Sequence, residues 1–226
     1  MELLAFDNHA ISSELESIGQ WWLDNTFDNE FGGFVGEIDF NGEVVTDANK
    51  GIVQNSRILW FYSEKALSCG QKKYQEAATR AYEYLLTYFD DKEFGGAIWE
   101  ISPSGELVNG KKQTYAQSFC IYAFCAYYKL TGDEVVLAKA EEYFDLIEQK
   151  CRDRKYGGYI EAYTEQWEEI DDLRLSSKDL NAPKSMNTHL HVVEAYSALY
   201  SVFPTEKVRE ALAHVLDVFE QQIINH

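Results

Sequence analysis

Apolar positions recur at helical spacing in seven stretches of the chain. The first spans residues 8–25, with Leu15, Ile18, Trp22 and Leu23 in register. Three pairs follow: 51–68 with 72–89, split by Cys69-Gly70; 113–130 with 134–151, split by Thr131-Gly132-Asp133; and 185–202 with 205–223, split by Phe203-Pro204. Pro204 suits a helix start, where its missing N–H leaves no bond unmade. The stretches beginning at Gly51 and Gln113, together with the opening helix, are apolar nearly all round in their later turns, the pattern of elements buried on every side. Their partners, such as Val135–Ile147, are amphipathic. The division predicts an inner ring of buried helices and an outer ring of half-exposed ones.

A repeat punctuates the helices. Asp28-Asn-Glu-Phe-Gly-Gly-Phe-Val-Gly-Glu37, Asp91-Lys-Glu-Phe-Gly-Gly-Ala-Ile-Trp-Glu100 and Asp153-Arg-Lys-Tyr-Gly-Gly-Tyr-Ile-Glu161 echo one another. The paired glycines permit a tight turn with positive φ, and the β-type residues after them read as one arm of a small hairpin. The predicted fold is therefore an all-α, α/α toroid of about three and a half helical hairpins with Gly-Gly hairpin loops, residues 1–226 forming one domain. A curved array of hairpins covers its inner helices only if it closes or is capped. The last helix runs into Glu220–His226 with no distinct polar cap, so the expectation is an incomplete ring. Its edges would be covered by a second copy in a homodimer or by a complementing polypeptide.

Composition narrows the partners. Hydrophobic residues make up 46% of the 226, ample for a core, and 38 Asp+Glu against 20 Lys+Arg give a formal charge of −18. That balance opposes nucleic acid and anionic membrane surfaces, and is compatible with a neutral ligand such as a sugar. No apolar run with a basic flank opens the sequence, and none approaches 18 residues, so neither a signal peptide nor a membrane span is expected. Cys69, Cys120, Cys125 and Cys151 show no CxxC pairing; Cys120 and Cys125 read as core thiols, and a cytoplasmic setting is expected.

The candidate chemistry centres on Lys184-Ser-Met-Asn-Thr-His-Leu-His-Val-Val-Glu-Ala-Tyr196. Met186, Leu190, Val192, Val193 and Ala195 make this helix apolar enough for burial. Yet Asn187 and His191 are four apart, and His191 and Glu194 three apart, so they share a face. Such a row either fixes helix packing or looks into a polar cavity that holds a ligand. Asn55-Ser56-Arg57, Gln117-Ser118-Phe119 and Asn187-Thr188-His189 read as equivalent places near the starts of three inner helices, predicting a common pocket at one end of the ring. Ordinary helix caps would use the same residue types; Arg57, set in an apolar run, is harder to assign to capping because a buried Arg is rare unless paired. His189, His191 and Glu194 suggest metal ligation, but positions two apart on a helix diverge, and no metal or cofactor is expected. Glu37, Asp39, Glu100 and Glu161 follow the Gly-Gly turns and would be the carboxylates of a glycoside hydrolase, though no pair stands out.

Four stretches carry a family resemblance: Asn29–Gly36 with Asp39, Lys50-Gly51 through Asn55-Ser-Arg-Ile-Leu-Trp-Phe61, Thr114-Tyr-Ala-Gln-Ser-Phe119, and Lys184–Tyr196. In these the chain resembles the N-acylglucosamine 2-epimerase superfamily, and its Asn-Thr-His-Leu-His form is similar to the cellobiose 2-epimerase branch. The resemblance implies an (α/α)6 barrel that epimerises C2 of a reducing-end sugar, a monosaccharide or an oligosaccharide, through an enediolate, without a metal. It further implies that Arg57 contacts the reactive end of the sugar, that Tyr115 and Asn187 bind its hydroxyls, and that His191 acts at the reducing end during ring opening. Glu194 is a further substrate-binding candidate and His189 a weaker one. The family's acid/base histidines lie in its second half; His9, His214 and His226 match no such motif. The chain is thus expected to carry part of an epimerase site without the proton-transfer pair. The competing readings are a non-catalytic sugar-binding half-barrel and an α/α-toroid hydrolase.

Overall fold

The computed structural model describes residues 7–224; His226 and the end of its stretch lie outside them. Seven helices form where the periodicity places them: α1 Asn8–Asn25, α2 Ile52–Cys69, α3 Lys72–Tyr88, α4 Thr114–Thr131, α5 Glu134–Leu146, α6 Met186–Val202 and α7 Glu206–Val218. α5 and α7 each continue into one π-helical turn, Ile147–Cys151 and Phe219–Ile223. The boundaries follow local chemistry. Gly70 and Gly132 end α2 and α4 in the left-handed conformation, at φ 68° and 65°. The side chains of Asp133, Ser185 and Thr205 accept backbone N–H groups at the starts of α5, α6 and α7.

Helices α2, α4 and α6 stand side by side with α4 in the middle, and α3, α5 and α7 back them as an outer layer. α4 has neighbours on both flanks and behind, and it buries Ala116, Cys120, Ile121, Ala123, Phe124 and Cys125 on successive faces. The thiols of Cys120 and Cys125 are core groups, and burial pushes each up to about 12.

The Gly-Gly segments fasten each repeat to the next. Bridges Phe27–Phe34, Asp90–Ala97 and Arg152–Tyr159 close each turn onto the preceding chain. Short strands then join neighbours: β1 (Lys50–Gly51) pairs antiparallel with β2 (Glu100–Ile101), β2 with β3 (Leu107–Asn109), and β4 (Lys112–Gln113) with β5 (Ala162–Tyr163). The expected hairpin arms are therefore present as two- or three-residue strands and single bridges. An ion pair locks every turn. Lys50, Lys112 and Lys184 reach Asp28, Asp91 and Asp153 at 2.6 Å in each case. Each of these aspartates also accepts two backbone N–H groups of its own turn. The Lys184 ammonium holds the Asp153 carboxyl at about 2.

Two expectations need correction. The opening helix is not buried all round: in α1 only Gly19 is buried, and Ile11, Leu15, Ile18 and Trp21 are exposed. It meets the rest of the protein along one side, through Glu16 to Lys73 at 2.7 Å and through the Tyr62 hydroxyl to Gly19 O at 3.3 Å. In α6, Met186 and Leu190 are also exposed, whereas Val192 and Ala195 are buried. These apolar residues border the open ends of the helix row. No helix among the described residues is long and apolar enough to cross a membrane.

Candidate functional site

The inner helices begin in register. Lys50, Lys112 and Lys184 each lie two residues before a helix start and seven before Arg57, Phe119 and His191. This corrects the sequence alignment of the third helix: His189, and not Asn187, is the counterpart of Asn55 and Gln117, while His191 is the counterpart of Arg57 and Phe119.

The two sets of equivalent residues do different work. Gln117 turns back to the Gly-Gly loop, where Oε1 accepts the N–H of Ala97 at 2.7 Å and Nε2 donates to Ala97 O at 2.8 Å. His189 does the same for the third loop: its Nε2 accepts the N–H of Tyr159 at 3.0 Å, and Nδ1–H donates to Ser185 O at 2.6 Å. Burial lowers the pKa of this imidazole, in keeping with an acceptor at Nε2. His189 is therefore a structural group directed away from the hub.

Arg57, Phe119 and His191 instead form a row across the concave side. The Arg57 guanidinium sits 4.9 Å from the Phe119 ring centroid, and the Phe119 and His191 rings lie 4.4 Å apart. Tyr115 meets His191 edge-on at 4.7 Å. Burial raises the Tyr115 pKa, against the pull of Arg57 and with a contribution from Glu194, so the phenol keeps its proton. Glu194 accepts a hydrogen bond from His191, with Oε2 2.5 Å from Nδ1. A carboxylate only accepts, so Nδ1 carries the hydrogen, and in the neutral imidazole Nε2 is the acceptor.

A cavity of about 760 Å³ opens in front of this row, within the size range of small-molecule sites. Arg57, Phe119, His191 and Glu194 line it, with Ile18 and Trp22 of α1, Phe61 of α2 and the stacked rings of Trp60 and Tyr122, 5.3 Å apart. Of the five sequence candidates, Arg57, Tyr115, His191 and Glu194 come together. Tyr115 joins the group through its contact with His191 but does not itself line the cavity; Asn187, exposed one turn before His191, does not line it either. Arg57 is exposed rather than buried, its charge facing the open cavity and its plane resting on Phe119. Phe119, Trp60 and Tyr122 were not singled out from sequence. The seven-residue spacing from each loop lysine identifies Phe119, whereas nothing local distinguishes Trp60 or Tyr122 from core aromatics.

Three of the four carboxylates considered for hydrolysis have other duties. Asp39 caps its own turn through Asn41 and Glu43, and Glu100 accepts from Asn49 at 3.2 Å. Glu161 is buried and caps the start of α6, accepting from Ser185 N and Thr188 Oγ1 at 2.6 Å each.

Comparison with known proteins agrees with this architecture. Over 205 residues the chain is 40% identical to a cellobiose 2-epimerase of Bacteroides fragilis, an alignment covering 91% of this chain and 52% of that protein. The cellobiose 2-epimerase structure from Spirochaeta thermophila superposes with a TM-score of 0.87 at 38% identity, covering 95% of this chain and 54% of that one. The corresponding structure from Bacillus thermoamylovorans gives 0.89 at 30% identity, covering 96% and 57%. The chain thus spans about half the length of the relatives it matches. The N-acylglucosamine 2-epimerase (GlcNAc 2-epimerase) family model matches residues 32–226, and the chain belongs to that family.

Proposed function

We propose that the cavity binds the reducing end of a sugar, and that the chain carries the binding portion of a cellobiose 2-epimerase-type site. The observation that supports this most directly is the row of Arg57, Phe119 and His191, with Glu194 bonded to His191, along one wall of a cavity. Arg57 offers a fork of donors to oxygens at C1 and C2. Trp60, Tyr122 and Phe119 offer flat apolar faces to the C–H side of a pyranose, and His191 offers Nε2 to an anomeric hydroxyl. The names of the relatives make cellobiose the first disaccharide to test.

Residues 1–226 act in this reading as one domain, half of an (α/α)6 ring. C2 epimerisation needs proton transfer on both faces of the enediolate, and His191 is the sole imidazole lining the cavity among the described residues. A second half-ring, from another copy or a complementing polypeptide, supplies the opposite wall and covers the exposed apolar residues of α1 and α6. The unpaired thiols, three of them buried, support a reducing, cytoplasmic setting.

Titration calorimetry with cellobiose, glucose and mannose tests the binding reading, with saturable binding as the expected result; no heat with any of the three overturns it. Ultracentrifugation and a C2 epimerisation assay on the isolated polypeptide test the half-ring. A monomer that epimerises cellobiose would overturn it.

A further inference from the structure

Each inner helix carries a bracing side chain at one register position, five residues after the loop lysine: Asn55, Gln117 and His189. Gln117 holds both backbone groups of Ala97, and His189 accepts the N–H of Tyr159. The equivalent loop residue in the first repeat is Phe34, which follows its Gly-Gly pair as Ala97 and Tyr159 follow theirs. Asn55 has one methylene fewer than Gln117 and stops about 1.5 Å short. Its Nδ2 turns back instead to Gly51 O at 2.8 Å. Its Oδ1 meets no donor among the described residues, although Asn55 is only 1% exposed. Reversing the amide would set Oδ1 against Gly51 O, two acceptors together, so the unpartnered atom is an acceptor.

Phe34 is the other half of the gap. It is as buried as Asn55, and its bridge to Phe27 is made by the flanking pairs, Asp28 N–H to Gly33 O and Val35 N–H to Thr26 O. In that kind of antiparallel pair the N–H and C=O of the central residue point away from the partner segment. In the second repeat they point at Gln117. In the first, neither has a protein partner among the described residues. Three buried polar groups therefore face one another across a short gap, a costly arrangement to leave bare.

We propose that the first repeat contains a binding site for a single structural water, between Asn55 and Phe34. The water donates one hydrogen to Asn55 Oδ1 and the other to Phe34 O, and it accepts the Phe34 N–H. Three such bonds are typical of a buried water. It thereby does for Phe34 what the Gln117 carboxamide does for Ala97 directly. The site lies just behind the cavity wall: Val35, the next residue of the loop, accepts from Gln54 Nε2 at 3.2 Å, and Gln54 lines the cavity. The first loop, held through an exchangeable molecule, is the most easily opened of the three.

High-resolution crystallography of the full chain and of Asn55→Gln tests this, with amide hydrogen exchange in solution. The wild-type map should show one ordered water about 2.7–3.2 Å from Asn55 Oδ1, Phe34 N and Phe34 O. In Asn55→Gln the longer side chain should displace it and bond Phe34 directly. Exchange at the Phe34 amide should be faster than at Ala97 and Tyr159 in the wild type. It should slow about tenfold in Asn55→Gln, the scale of one hydrogen bond. A wild-type map without that water overturns the proposal, whether or not the variant folds. So does a water that persists in folded Asn55→Gln, or Phe34 exchange that the substitution leaves unchanged.

Discussion

His189 Nε2 holds the backbone N–H of Tyr159 at 3.0 Å, the task that the Gln117 carboxamide performs for Ala97 at 2.7 Å. Two different side chains at the same register position thus brace two equivalent loops, because each has an acceptor at the same reach. His189→Gln should therefore be well tolerated. His189→Leu leaves the Tyr159 N–H buried without a partner and should cost about 1–3 kcal/mol in urea unfolding.

The same contact sets a pH dependence. Burial lowers the folded-state pKa of His189 below its unfolded value of about 6.5. The unfolded chain then binds more protons, so the stabilisation is complete above that value and is lost as pH falls through and below it. The thermal midpoint should drop between pH 7 and pH 5. His189→Gln should flatten part of that fall; His214, lowered by burial and by Arg152, accounts for a further part.

The loop ion pairs should differ in weight with their burial. Lys112 and Asp91 are almost fully enclosed, and Asp91 also accepts from Glu93 and Phe94. Lys112→Met strands a buried carboxylate and should cost about 3–5 kcal/mol. Lys184→Met, at the more exposed third pair, should cost clearly less in the same denaturation experiment.

Gly158 has φ 74°, and a Cβ there would sit 2.5 Å from His189 Nε2. Gly158→Ala should destabilise by about 2–3 kcal/mol, combining left-handed strain with a displaced imidazole. Gly42 has φ 89° and nothing within 4 Å of a new Cβ, so Gly42→Ala isolates the backbone contribution and should cost about 1–2 kcal/mol. Differential scanning calorimetry of the two variants checks the difference.

Arg57 separates binding from folding. It is exposed and rests on Phe119 through a contact worth about 0.5–1 kcal/mol, so Arg57→Ala should change stability by no more than that. Cellobiose affinity should fall about 10- to 100-fold, the value of a charged hydrogen-bond donor. Arg57→Lys should recover little, since it loses both the fork and the stacking plane. Calorimetry reads both.

Sequence by itself determined the seven helices, their ends and the Gly-Gly repeat, because periodicity, caps and left-handed glycines act within a few residues of where they are written. It also placed Arg57, Tyr115, His191 and Glu194 on hub-facing helices. The register of the third helix was decided only in the folded chain. The Asp-to-Lys ion pair spans 22 and 21 residues in the first two repeats and 31 in the third, and the resemblance of Asn187-Thr188-His189 to the other two polar triplets lies two positions off the register that the ion pairs set. Burial was likewise a tertiary matter. The apolar stripe of α1 and the exposed Arg57 look like core positions in isolation, but a side chain is buried only when another element is packed against it. At the edge of an open row of helices, one side has no such neighbour among the described residues.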